Sequence, residues 1–328
     1  MSRYLRLLLS GILVIGLLFS QTRPVQAGDV LGIHILHPSE LDDVLSLLKT
    51  DKNKDHWEYV TIPYGLEDIN RFNEWQSFFD KCKENKVIPI VRLITKPEGD
   101  TWAIPTTKDI IDLSKSLSAL NWPTDERLII VFNEPNHSKE WGGSVDPVRY
   151  ADVLQFTSDW FRTDGKGFKI LPAGLDLAAP NGSQTMEAFT FWKKALEYNP
   201  QIFDSLDDWN SHSYPNPAFS SSPTLSAQNS MRGFQHELEF LKKYSGKEWG
   251  VYITETGWAE NSSTSRWLTQ YYTYAEQHIW SDPHVKAVTP FLLHGAPGPF
   301  SAFSFLDQNG KKTRQFEAYR RVIETTEQ

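Results

Sequence analysis

Cysteine is nearly missing from this 328-residue chain, with Cys82 alone. A single thiol excludes an intramolecular disulfide framework and a cysteine-rich zinc site. Cys82 itself falls on the apolar stripe of a helical pattern, where a small core residue is expected. Basic charge is also in deficit. Lys and Arg number 33 against 41 Asp and Glu, giving a formal charge of -8 and a pI near 5.6. The lack of a basic field to displace counterions argues against a nucleic-acid partner, and none is expected. No Gly-rich phosphate turn follows the first apolar run, and no low-complexity tract or linker divides the chain. No His and carboxylate residues stand at convincing metal-ligand spacing, so neither a metal nor another cofactor is expected. The apolar run from Leu7 to Phe19 is too short for a comfortable membrane span.

That run has another reading. Arg3 and Arg6 precede it and Val25-Gln26-Ala27 follows it, which is the charged, apolar, small-residue order of a secretory signal. We therefore expect residues 1–27 to be a signal peptide, 28–328 to be one secreted or otherwise extracytoplasmic domain, and no stable membrane insertion after cleavage. The alternative is an uncleaved amino-terminal anchor. No cysteine follows the run, which excludes lipid attachment at a mature cysteine.

What the chain has in quantity is apolar residues, 40% of the total, with 19 Phe, 12 Trp and 12 Tyr among them. They fall in one rhythm. Short apolar runs lie at Val30–Leu36, Trp57–Pro63, Val87–Ile94, Leu128–Phe132, Lys169–Gly174, Leu206–His212, Trp249–Thr254 and Lys286–Leu293. Between them stand stripes at helical spacing, such as Leu41, Val44, Leu45 and Leu48 behind a Ser39 cap, or Tyr150, Val153, Leu154, Thr157 and Phe161 opened by Pro147. Eight strands each followed by a helix, in a domain of this size, predict an α/β fold, the single-domain (β/α)8 TIM barrel. An open doubly wound sheet is the main competitor, but it has no reason to stop at eight units.

A barrel of this kind carries its active site at the carboxyl ends of its strands. The fourth run, Leu128 to Phe132, is continuous and apolar as a strand buried on both faces requires, and it passes directly into Asn133-Glu134-Pro135-Asn136. Pro135 ends the ladder. A carboxylate held where a buried strand stops is poorly solvated, and poor solvation raises the affinity for a proton. The sixth run ends in His212-Ser213-Tyr214 and the seventh in Thr254-Glu255-Thr256-Gly257-Trp258. Two glutamates thus converge on one face, as hydrolysis of a glycosidic bond needs: one gives a proton to the leaving oxygen while the other attacks or activates water. Trp258, Trp141 and Trp102 offer flat faces suited to stacking on sugar rings.

At these motifs the chain resembles the retaining glycosidases of glycoside hydrolase clan A, family 5 or a family 39-like group. The resemblance covers essentially the whole mature chain, with Asn133-Glu134-Pro135 its strongest motif and Thr254-Glu255-Thr256-Gly257-Trp258 its second. It implies Glu134 as acid/base, Glu255 as nucleophile, Asn133 on the sugar 2-hydroxyl, and His212 and Tyr214 positioning or tuning the nucleophile. The substrate implied is a poly- or oligosaccharide. Two departures stand out. Clan members often carry an arginine near the end of strand two, where this chain reads Val60-Thr61-Ile62-Pro63-Tyr64; Arg92 on strand three is expected to take over beside Glu255. Many carry a tryptophan at the end of strand eight, where this chain has Phe291-Leu292-Leu293-His294, leaving Phe291 and His294 both open as the floor.

Plainer readings stand beside these. Glu134 and Glu255 could be carboxylates bound to backbone donors, His212 a satisfied core histidine, Tyr214 a packing residue and Arg92 half of a structural pair. His34 and His37 near the end of strand one are further candidates for the pocket. Three functions remain open: a retaining hydrolase, a glycan-remodelling transglycosylase with the same residues, and a non-catalytic carbohydrate-binding barrel. The glycan, endo or exo action and the oligomeric state are not legible.

Overall fold

The computed structural model describes residues 30–326; the expected signal peptide lies outside them. The barrel strands are β1 (Gly32–His34), β2 (Glu58–Tyr64), β3 (Val87–Leu93), β4 (Arg127–Val131), β5 (Phe168–Pro172), β6 (Trp209–His212), β7 (Val251–Glu255) and β8 (Val285–Val288). The alternating helices are α1 (Leu41–Leu48), α2 (Phe72–Glu84), α3 (Thr107–Ala119), α4 (Pro147–Arg162), α5 (Ala188–Tyr198), α6 (Gly233–Leu241), α7 (Leu268–Ala275) and α8 (Arg314–Thr326). The strands pair in parallel as a five-stranded sheet, β1 to β5, and a three-stranded sheet, β6 to β8. Two single parallel bridges join them, Asp176 to His212 and Leu31 to Val288.

Side chains show that the ring is closed. Ile88 and Ile90 of β3, Leu128 and Ile130 of β4, Leu171 of β5, Tyr252 of β7 and Ala287 of β8 form one buried cluster. Strands from both sheets meet in it, as the interior of a barrel requires, and the two bridges close the seams. The intervening residues, Val91, Ile129, Val131, Ile170, Val251 and Ile253, face outward into a second cluster with the helices. Alternation of two buried faces is why these strands read as unbroken apolar runs.

Helix ends follow local chemistry. Asp146 accepts from Arg149 N at 2.9 Å in front of Pro147, and Thr106 and Asp109 form a reciprocal capping box on α3. Ser39 does not cap α1; it lies inside a short 3-10 turn, Pro38–Glu40, whose own start is capped by His37. Strand β8 is shorter than its apolar run. It ends at Val288, and Pro290, which has no N–H to give a ladder, lies just beyond.

Candidate active site

After Val131 the backbone enters the left-handed region at Phe132 (φ 70°) and again at Glu134 (φ 32°). Two non-glycine residues in that region make a tightly wound turn that the rest of the site must hold in place. Asn136 supplies one fastening. Fully buried, it donates to Asp176 O and Met186 O, both at 3.0 Å, and accepts from Asp176 N at 3.2 Å. Glu134 is thereby aimed into a cleft of about 770 Å³ at the carboxyl ends of the strands, which Glu255 also lines.

Glu255 is the last residue of β7 and lies opposite His212 of β6. It is heavily bonded. Arg92 Nη1 donates to its Oε1 at 2.5 Å and Tyr214 OH to its Oε2 at 3.1 Å. His212 Nδ1 is 3.7 Å from Oε2 and 2.8 Å from Glu134 Oε1, so one ring nitrogen stands between the two carboxylates. The ring fits there because residue 174 is glycine: a Cβ at that position would come within 2.2 Å of His212 Cδ2. Arg92 also donates from Nη1 to Asn133 Oδ1 at 2.8 Å, and Asn133 Nδ2 donates to Glu140 Oε2 at 3.1 Å. A chain of polar contacts therefore runs Glu140, Asn133, Arg92, Glu255.

The electrostatics separate the groups. Burial would raise the Glu255 carboxyl, but the charges of His212 and Arg92 outweigh it and hold the pKa at about 2. Burial opposes a charged His212, yet Glu255 and Glu134 beside it carry its pKa above the usual histidine value. Burial, then the same two carboxylates, push the Tyr214 phenol well up, which keeps it a hydrogen-bond donor. Burial, helped by Arg92, lowers His34 to about 3, so the ring beneath Glu255 is neutral and donates from Nδ1 to Thr254 O at 3.2 Å.

This has a consequence for stability. His34 takes a proton near 6.5 when unfolded but only near 3 in the native state, so between those pH values the unfolded chain binds more protons and stability falls as pH falls. Glu255 adds to the fall between its ordinary 4.5 and about 2. Thermal melts of wild type and His34→Gln from pH 7 to 3 are expected to show a shallower decline in the variant; equal declines would remove His34 from the account.

The other residues singled out in the sequence divide. Trp141 lines the inner wall but is fully buried, packed on Phe132 and Tyr150. Trp258 is not in the cleft. Gly257, at φ 118°, turns the chain so that Trp258 packs on Tyr271 and Tyr272 and donates from Nε1 to Ser221 O at 2.8 Å. Trp102 lines the cleft from a small hairpin, Pro97–Glu98 with Thr101–Trp102. Phe291 reaches the cleft, whereas His294 pairs with Asp43 at 2.8 Å and His37 sits against Arg71 and Glu74. Glu140, the pair His137 and Asp176 (2.9 Å), and Phe219, Phe300 and Phe303 also line the cleft. None of these has a motif of its own in the sequence; Phe300 and Phe303 lie in a loop after β8 that is rich in Gly, Pro and Phe.

Glu134, His212 and Glu255 each bring one ligand-type atom within 4.8 Å of the others, a triangle that a cation could in principle bridge. Arg92 already supplies positive charge at Glu255 Oε1, and a divalent ion would sit against it.

The sequence matches no protein-family profile and no curated protein. Solved structures do resemble it. An endo-β-1,4-glucanase from Xanthomonas axonopodis pv. citri aligns over 90% of this chain and 99% of its own, at 15% identity and TM-score 0.59. A glucosidase from Croceicoccus marinus aligns over 93% and 69%, at 11% identity and TM-score 0.64. An exo-β-1,4-mannosidase from Opitutaceae bacterium strain TAV5 aligns over 88% and 55%, at 14% identity and TM-score 0.59. The fold is the one these three enzymes share. At such identities the likeness speaks for the barrel, and the chemistry must be argued from the residues.

Proposed function

We propose that this protein is a retaining glycoside hydrolase with Glu255 as nucleophile and Glu134 as general acid/base. The observation that carries the proposal is the spacing: one carboxylate oxygen of Glu134 lies within 4.8 Å of one of Glu255 across a shared cleft. Retaining enzymes hold their carboxyls about 5 to 5.5 Å apart, and inverting enzymes need roughly 6.5 to 9.5 Å to admit a water. The environments favour the same division of roles. Glu255 is held ionised by Arg92, His212 and Tyr214, while Glu134 has the more exposed side chain, 22% against 11%.

In the first step a Glu255 oxygen attacks the anomeric carbon while Glu134 gives its proton to the departing oxygen, and a glycosyl ester forms as the glycosidic C–O bond breaks. In the second, Glu134 takes a proton from water, the water oxygen attacks the same carbon, and the ester C–O bond breaks to release Glu255. Arg92 and Tyr214 donate to the carboxylate both before attack and as it leaves. The amino-terminal pattern supports export. Among the described residues no helix is long and apolar enough to cross a membrane.

The test is product stereochemistry. Proton NMR of the first sugar released from an aryl β-glycoside is expected to show the β-anomer; the α-anomer would overturn the retaining mechanism. Repeating the reaction with an acceptor sugar separates hydrolysis from transglycosylation. Asn133→Ala is expected to lower kcat/KM by roughly ten- to a hundredfold, less than loss of either glutamate. Glu140→Ala is expected to cost about tenfold by freeing the Asn133 amide, and nothing further in an Asn133→Ala background. Additive losses would show that Glu140 does not act through Asn133.

A further inference from the structure

The cleft has two unlike sides. Loops after β3, β4 and β5 bring Trp102, His137, Glu140 and Asp176, which give this side hydrogen-bonding groups among apolar neighbours such as Ile94 and Phe132. Loops after β1, β6 and β8 bring Leu36, Phe219, Phe291, Pro299, Phe300 and Phe303, whose side chains neither donate nor accept. Glu134 and Glu255 stand between the two.

The apolar side is built. Phe291 meets Phe300 edge-on at 5.0 Å, Phe219 meets Phe303 at 5.2 Å, and Tyr214, which donates to Glu255, meets Phe219 at 5.0 Å. The wall is thus continuous with the proposed nucleophile and fixed by its own packing. Leu36, Phe219 and Phe300 are 44%, 37% and 45% exposed, so three large apolar side chains face solvent at one mouth, the usual mark of a binding surface. A glycan chain extended along this wall would find no side-chain partner for its hydroxyls on it. The indole faces that would suit sugar stacking are largely withdrawn: Trp141 and Trp258 are buried, and Trp102 is on the opposite, polar side.

We infer that the substrate is amphipathic: a glycoside whose sugar sits at Glu134 and Glu255 and on the polar side, carrying a hydrocarbon group that lies on the phenylalanine wall. This rests on the glycosidase reading for the position of the sugar. Alkyl and aryl groups share the required chemistry. A second run of sugars on the wall is the competing occupant.

The experiment uses the full chain carrying Glu134→Gln and calorimetry. The probes are methyl, butyl, hexyl and octyl β-glycosides of glucose, mannose and xylose below their micelle concentrations, phenyl β-glycosides, and β-1,4-linked oligosaccharides of one to four units. With at least one sugar, affinity is expected to rise along the alkyl series by up to roughly fourfold per methylene buried, and not along the oligosaccharide series. A stronger gain for phenyl than for butyl marks an aryl group, the reverse an alkyl chain. Phe300→Ser and Phe219→Asn, separately, are expected to flatten the slope, with the loss of affinity growing from butyl to octyl; Asn suits position 219, where φ is 52°. A flat alkyl series, a rising oligosaccharide series or no binding of any probe would overturn the inference. Turnover by wild type is a separate readout. A rising alkyl slope with every glycoside left intact would uphold the wall and reject the catalytic reading.

Discussion

Glu255→Gln is expected to cut turnover of an aryl β-glycoside by about 10⁴-fold or more, because it removes the atom that forms the covalent bond. The fold should survive the change. The Gln carbonyl oxygen still accepts from one of Arg92 and Tyr214, although Arg92 loses its opposite charge in a buried setting and the Tm should drop. A sharper result comes from Glu255→Ala with added azide. The small anion enters the vacated space, attacks the anomeric carbon once and yields a glycosyl azide of inverted configuration. Wild-type turnover in Glu255→Gln, or an azide product of retained configuration from Glu255→Ala, would remove Glu255 from the nucleophile's role.

Glu134→Gln should behave differently, because a proton donor matters only as much as the leaving group needs one. For alkyl glycosides, whose alkoxide leaves poorly, the expected loss is roughly 10²–10⁴-fold. For a dinitrophenyl glycoside the first step should be almost unaffected, since that phenolate leaves without a proton. The second step still lacks its base, so a glycosyl group should accumulate on Glu255 and be visible by mass spectrometry of the intact chain. A uniform loss across leaving groups, with no accumulated adduct, would place Glu134 outside proton transfer.

Much of this was legible in the sequence because it depends on local rules. Buried parallel strands must be apolar on both faces, which is why Leu128 to Phe132 and Val251 to Ile253 stood out, and why the polar residues at their ends marked the site. Arg92 in the middle of an apolar run needed a buried partner, and Glu255 is that partner. What failed depended on where a turn sends the chain. Trp258 closes the motif, yet the backbone at Gly257 carries it into the helical layer. The contact of Glu140 with Asn133 and the pairing of His137 with Asp176 depend on how loops fold over one another. The phenylalanine wall joins loops after β6 and β8, more than 70 positions apart in the sequence (Phe219 to Phe291); no periodicity in either segment announces it.

The way the ring closes has a mechanical consequence. Glu134 follows the five-stranded sheet and Glu255 ends the three-stranded one, while the seams between the sheets carry the bridges at Asp176–His212 and Leu31–Val288 and scattered backbone bonds such as His34 N to Pro290 O at 3.0 Å and Asp207 N to Ile170 O at 2.9 Å in place of a continuous ladder. The contacts of His212 with Glu134 and of Arg92 with Glu255 cross between the two parts. The barrel is in this respect a caliper, with one carboxylate on each jaw. Its gauge is a property of the joint, set by the contacts that cross it as much as by either sheet.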